Sequence, residues 1–187
     1  RYWSPFENIH DLAAAATTQP GRVSVAISAD DVVDALAAAD LRQRVGLGLQ
    51  VRGFSGPSGA LMAALSGQAD AGLGSLTGFG PSVRSGQGRV LAVLDAERPR
   101  DRPEVPTLRE AGIDVTSCRS LGYAYRSGTA PDIVEYLSWA LFAAMSDRDY
   151  QNRMRDAGLP ARFLGAEQYR KLLAGEGEKV RRLLPLL

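Results

Sequence analysis

Cysteine and histidine are almost absent from the 187 residues: Cys118 and His10 are the single examples of each. One thiol forms no internal disulfide, and one thiol with one imidazole builds no thiolate or imidazole metal cluster, so no metal and no cofactor is called for and the redox compartment stays open. An excess of one charge is missing too: Lys+Arg 22 against Asp+Glu 21 leaves +1, with no block of like sign. A protein that grips nucleic acid needs a basic face along the phosphates, so that class is disfavoured. No apolar run approaches the roughly 20 residues of a membrane helix. The opening Arg1-Tyr2-Trp3-Ser4-Pro5 lacks the basic and apolar regions of a secretion signal, so any such signal is expected to be removed or upstream. What is present, 45% hydrophobic and 23% charged residues with a mean hydropathy of -0.13, suits a soluble globular protein with a real core.

Periodicity alternates helical and extended pieces. Apolar spacing predicts a helix over 6–17, stopped by Gln19-Pro20-Gly21, and a strand over 22–27. Ser28 or Asp30 is expected to cap an alanine-rich helix reaching Val45, with Gly46 at its end and a strand over 47–52 following. A glycine-rich loop over 53–59 feeds a helix over 60–66; strands over 70–75 and 89–94 bracket a helix over 79–85. The repeated strand, loop and helix order predicts an α/β fold with a mostly parallel sheet, right-handed crossovers, helices on both faces and ligand loops at the strand C-terminal ends. Pro99, Pro103 and Pro106 among charges make 95–106 the expected linker, and Thr107-Leu108-Arg109-Glu110 reads as a capping box closed by Gly112. The segments 115–119 and 121–125 look extended, and three helices close the chain: Thr129 and Pro131 to Met145, Ser146 to Gly158, and Ala166 to Leu184. Trp139 and Phe142 are expected in a core; Tyr123 and Tyr125 fit a core or a cleft wall equally.

Chemical motifs are near misses. Gly56-Pro57-Ser58-Gly59-Ala60 is one residue short of a nucleophile elbow, but the sole histidine lies upstream, contrary to hydrolase order, and Ser58 as a helix cap is the plainer reading. Gly72-Leu73-Gly74-Ser75-Leu76-Thr77-Gly78 is a dinucleotide loop stretched by one residue, which spoils the separate tasks of its glycines. Asp30, Asp31 and Asp34 could ligate a hard cation, yet acids in a first helical turn are accounted for by the helix dipole.

Several stretches of running text resemble the TctC or Bug family of solute receptors from tripartite tricarboxylate transporters. Phe6 through Asp11-Leu12 to Pro20-Gly21-Arg22-Val23-Ser24 is similar to a family helix leading through Pro-Gly into a strand. Phe54-Ser55-Gly56 through Leu65-Ser66-Gly67-Gln68-Ala69-Asp70 resembles its aromatic-x-G loop and L-x-x-G-x-x-D segment. Arg84-Ser85-Gly86-Gln87-Gly88-Arg89-Val90-Leu91-Ala92-Val93 and Val105-Pro106-Thr107-Leu108-Arg109-Glu110-Ala111-Gly112 resemble two further signatures, the last being the most specific.

The resemblance implies a type II periplasmic-binding-protein-like, three-layer αβα fold and a non-enzymatic receptor. Its two lobes would close by hinge motion on a small organic acid or related metabolite. It implies the transporter's membrane subunits as partners and an extracytoplasmic setting, as a periplasmic protein or cell-surface lipoprotein. Residues 1–100 would be the second lobe and 101–187 the segment returning to the first, with the start of lobe one absent. Candidate ligand contacts are Ser28, Ala29 and Asp30 after one strand, Phe54, Ser55, Gly56, Ser58 and Gly59 after the next, and Ser75 and Thr77 after the third. Relatives carry a glycine-rich turn where this chain has Ala26-Ile27-Ser28-Ala29-Asp30-Asp31-Val32. Asp30 and Asp31 would repel an anion at about 4 Å by about 1–4 kcal/mol, which argues for a cationic, neutral or differently posed ligand over a standard dicarboxylate. The competing readings are an effector-binding module of a cytoplasmic regulator and an α/β enzyme using Ser58 or Ser75. Without lobe one, Tyr123, Tyr125, Trp139 and Phe142 would lie partly uncovered and favour self-association.

Overall fold

Strand β1, Ser24–Ser28, is buried along its whole length, as a central parallel strand covered on both faces must be. It pairs in parallel with β2, Gln50–Phe54, and with the short β3, Ala71–Gly72, giving the order β2-β1-β3 with Val25 opposite both Val51 and Ala71. The computed structural model describes residues 4–45, 48–99, 102–117, 119–157, 159 and 162–187. They fall into two units, one of Arg1–Cys118 with Leu183–Leu187 and one of Arg119–Arg182. The α/β class and the parallel sheet with flanking helices are those read from the sequence.

In the first unit, helix α1 (Ile9–Thr18) starts on a capping box in which Asn8 and Asp11 satisfy each other's backbone amides. Its inward residues Leu12 and Ala16 meet Val23, Val25, Ile27, Ala38 and Leu49 in one core. Helices α2 (Val32–Val45), α3 (Gly56–Ser66) and α4 (Leu76–Arg84) follow the three strands in turn. On the other face of β1 the core consists of alanines, Ala26, Ala60, Ala63 and Ala69, so α3 lies close to the sheet.

The structure corrects several boundaries. The loop expected over 53–59 is half helix, because Pro57 is tolerated in the first turn and α3 starts at Gly56. The strand expected over 70–75 is two residues long, and the piece over 89–94 makes a single parallel bridge, Val93 to Thr107. The expected start of β2 at Leu47 and the Gly46 cap lie outside the described residues.

The proline-rich stretch is not a linker between the two units. Val93 and Leu108 exchange backbone bonds with Pro106 and Val93 carbonyls, and Leu108, Ile113 and Val115 form a buried cluster against Ile9, Ala13 and Leu94. Proline blocks regular hydrogen bonding but not burial, so composition alone misplaces the division. The capping box at Thr107 forms as expected, although it closes a turn rather than a helix. There the Thr107 N–H and then Arg98 hold the Glu110 carboxyl below its usual range. A carboxyl lowered on folding stabilises the fold above its unfolded pKa, and this contribution fades as pH falls through the lower folded value. Glu110→Gln is therefore expected to flatten the dependence of Tm on pH from near 4.5 downward. An unchanged acid limb in a pH series of melts would contradict this.

The second unit contains α5 (Pro131–Ser146), α6 (Arg148–Asp156) and α7 (Ala166–Leu183), the last ending in a 3-10 turn, Leu184–Leu186, that belongs to the first unit. Asp147 ends α5 and caps α6, its carboxylate accepting from the Tyr150 N–H at 2.9 Å. Trp139 and Phe142 are not core: they are 63% and 51% exposed, and α5 buries no residue. No strand is described in this unit, so the apolar helix has no sheet to face. Tyr123 is also exposed, and Tyr125 is half-buried.

Candidate functional site

Parallel strands end together, so Ser28, Phe54 and Gly72 bring the starts of α2, α3 and α4 to one rim. All ten residues singled out from the sequence lie along it. The Ala29 N–H donates to the Phe54 carbonyl at 2.8 Å, and a Cβ on Gly53 would stand 3.0 Å from Ala29 Cβ, which fixes the first two loops against each other. A Cβ on Gly78 would come within 3.5 Å of Pro57 Cβ, so the α4 start adjoins the α3 start. Ser28 is buried, whereas Asp30, Ser55 and Ser58 are exposed. Thr77 is the second residue of α4.

The helix starts differ in what they offer. At α2 the cap is Asp31, not Ser28 or Asp30: its Oδ1 accepts from the N–H groups of Val33 and Asp34 at 2.9 and 3.3 Å. The helix's own carboxylate thus occupies the place an external anion would take. At α3 the cap position is Ser55, whose side chain makes no capping bond, and Ser58 lies inside the helix, where sequence reading had put the cap. The N–H groups of Gly56 and Ser58 have no described protein partner, Pro57 between them has none to give, and the Gly59 N–H falls where the first intrahelical bond forms, to the carbonyl of the cap residue Ser55. Gly56 has φ +63°, a conformation that glycine adopts without strain and other residues rarely do. At α4, the Ser75 carbonyl takes the N–H groups of Gly78 and Phe79.

Three residues missed in the sequence complete the rim. Gly74 lies between a ring and an acid: a Cβ there would be 3.0 Å from the Phe79 ring and 3.6 Å from Asp34 Oδ2. A Cβ on Gly72 would be 3.2 Å from the same ring. The signal was present in the stretched glycine motif, whose glycines admit an aromatic ring against bare backbone instead of a phosphate. Phe54 and Phe79, both half-buried, rest on the alanine cluster beneath β1. Among the described residues no group of three or more His, Cys, Asp or Glu side chains could hold a metal ion. A separate cavity of about 400 Å³, bounded in part by Glu7, Val83, Leu91, Arg102 and Val105, shares no residue with the rim.

The sheet order and the helices rising from one rim are those of the α/β periplasmic-binding-protein fold. A profile of the TctC family, described as "Tripartite tricarboxylate transporter family receptor", matches residues 1–186, and the chain belongs to that family of receptors, which are not enzymes. It is 24% identical over 184 residues to a UPF0065 protein of Cupriavidus necator, covering 98% of this chain and 56% of that protein. To protein BugT of Bordetella pertussis it is 23% identical over 171 residues, covering 91% and 52%. The chain thus spans about half the length of these curated relatives.

Among solved structures, a ligand-free TctC solute-binding protein from Polaromonas matches with TM-score 0.90 at 23% identity, over 100% of this chain and 64% of that one. MatC from Rhodopseudomonas palustris with bound malate matches with TM-score 0.64 at 24% identity, over 98% and 63%. An R. palustris protein with adipate matches with TM-score 0.69 at 21% identity, over 96% and 61%. These likenesses establish the fold.

Proposed function

We propose that this protein is the solute-binding receptor of a tripartite tricarboxylate-type transporter and takes a small organic acid at the rim of β1, β2 and β3. The uncapped N-terminus of α3 carries this reading: the Gly56 and Ser58 N–H groups lie in the first turn, at the positive end of a helix dipole, where an anion is favoured. The family match and the neighbours that hold malate and adipate support an acid as the ligand class. In this reading the N–H groups of Gly56 and Ser58 donate to a carboxylate, Phe54 and Gly59 wall the pocket, and Ser28, Ala29, Asp30, Ser55, Ser75 and Thr77 shape its edge. Residues 1–100, extended by 102–117, form the ligand-presenting lobe, and the rest of the chain returns to the other lobe.

Closure of the other lobe over the acid is what the membrane subunits would detect, since a partner that prefers the closed form responds only to loaded receptor. The setting is extracytoplasmic. A thermal-shift screen of the intact protein tests the function: a ligand at 100 times its Kd stabilises by about 2.7 kcal/mol. Absence of a shift with every carboxylate, amino acid and aromatic acid tried would remove the receptor reading.

The exposed side chains of Tyr136, Trp139 and Phe142 on α5 are expected to make this 187-residue chain self-associate. Light scattering that finds a monomer at high concentration would contradict that expectation.

A further inference from the structure

The cavity of about 400 Å³ that shares no residue with the rim lies wholly within the first unit. We propose that it is a second binding site, for a zwitterion with an apolar body: an α-amino acid with an aliphatic side chain.

Three segments far apart in sequence wall this cavity, the start of α1, the stretch from Val83 to Leu91, and 102–106. Each is tied by its own hydrogen bonds. At the α1 start the N–H groups of Glu7 and Asn8 donate to Asp11 Oδ2 at 2.8 and 3.1 Å. At the end of α4 the Gly86 N–H donates to the Val83 carbonyl at 3.1 Å. In the proline-rich stretch the Val93 N–H donates to the Pro106 carbonyl at 2.9 Å, the Val105 N–H to the Arg102 carbonyl at 3.0 Å, and Arg98 Nη1 to the Pro103 carbonyl at 2.7 Å. Walls held this way are formed before a ligand arrives, and the volume falls inside the range of about 300–1,000 Å³ for small-molecule sites.

The lining combines both charges with aliphatic surface. Arg89 and Arg102 are half-buried, Glu7 and Glu104 are exposed, and Val83, Leu91 and the buried Val105 are apolar. With two cations set against two carboxylates, a ligand of one sign meets as much repulsion as attraction, whereas a zwitterion pairs with both. A guanidinium carries several N–H donors in a fixed fork, so an arginine that already holds one group keeps donors for a ligand carboxylate. In this arrangement the ligand's carboxylate meets the half-buried arginines, its ammonium the exposed glutamates, and its side chain the valines and leucine.

Amide NMR of the intact protein tests this with leucine and with 4-methylpentanoate and isoamylamine, which each lack one of leucine's two charges. Leucine is expected to shift the N–H signals of Asn8, Arg89, Leu91 and Val105 along one saturating curve, with an apparent Kd about tenfold or more below that of either analogue at the same signals. Glu7→Gln combined with Glu104→Gln changes two exposed side chains and keeps the backbone bonds of the walls. It is expected to weaken leucine at these signals about fivefold and not to weaken 4-methylpentanoate. The inference is overturned by either analogue binding there as tightly as leucine, by leucine affinity unchanged in the double variant, by leucine shifts confined to the α3 amides, or by no leucine binding. Each of these outcomes leaves the receptor reading standing, since that reading is decided at the rim and by the acid screen.

Discussion

Gly48→Val is expected to destabilise the first unit by about 3 kcal/mol, at the upper end of what overpacking costs, because nothing near the site can move cheaply. A Cβ on Gly48 would stand 2.5 Å from Pro20 Cα and 2.6 Å from the Gly21 nitrogen, atoms of a backbone turn and not of a flexible side chain. The same turn is tied by the Gly21 N–H donating to the Gly48 carbonyl, just before β2 begins. The added methyl groups must therefore push apart the connections that lead into β1 and β2. Urea unfolding of the variant should show a lower midpoint with an unchanged slope. A midpoint within error of the parent would mean that the Pro20-Gly21 turn yields freely.

Leu108→Ala is expected to cost about 2–5 kcal/mol, the range for removing a large apolar side chain from a core that cannot collapse. Leu108 is 2% exposed and packs with Ile113 and Val115 against Ile9, Ala13, Leu41, Ala92 and Leu94. The prediction distinguishes the two accounts of the proline-rich region. A linker would absorb the substitution for a few tenths of a kcal/mol, whereas an integral part of the first unit would lose a fraction of its whole stability. Denaturant melts of the variant read the difference directly.

Much of the architecture is legible because its signals are local. The apolar spacing in 6–17 announces α1, the alternation in 22–27 announces β1, and the breaker at Pro20-Gly21 falls where the chain turns. The misreadings arise where tertiary context decides. Pro57 looks like loop but opens α3; Arg89 to Leu94 has the residues of a strand yet gains only one bridge, because strand status depends on a neighbour as well as on propensity. Trp139 and Phe142 illustrate the same limit from the apolar side: helical spacing identifies a face but says nothing about whether anything covers it.

At the rim, the loops were legible from strand order alone, and the chemistry was not. Three candidate acids in sequence, Asp30, Asp31 and Asp34, take three different positions: one exposed, one folded back on its own helix, one buried beside Gly74. No periodicity separates them, since a cap is chosen by backbone geometry over one or two residues. Phe79 was read only as the first residue of a helix; its closeness to Gly72 and Gly74 comes from the α4 start folding back on β3.

The central claim is that the open amides of α3 are where an acid is held. Amide NMR of the intact protein during titration with a bound acid reads those groups one by one. The account predicts that the largest shifts fall on the N–H signals of Gly56 and Ser58, with Val33 and Asp34 little moved because Asp31 already holds them. Saturating binding that leaves these two α3 amides unshifted and moves signals around Glu7, Arg89 and Arg102 would contradict it.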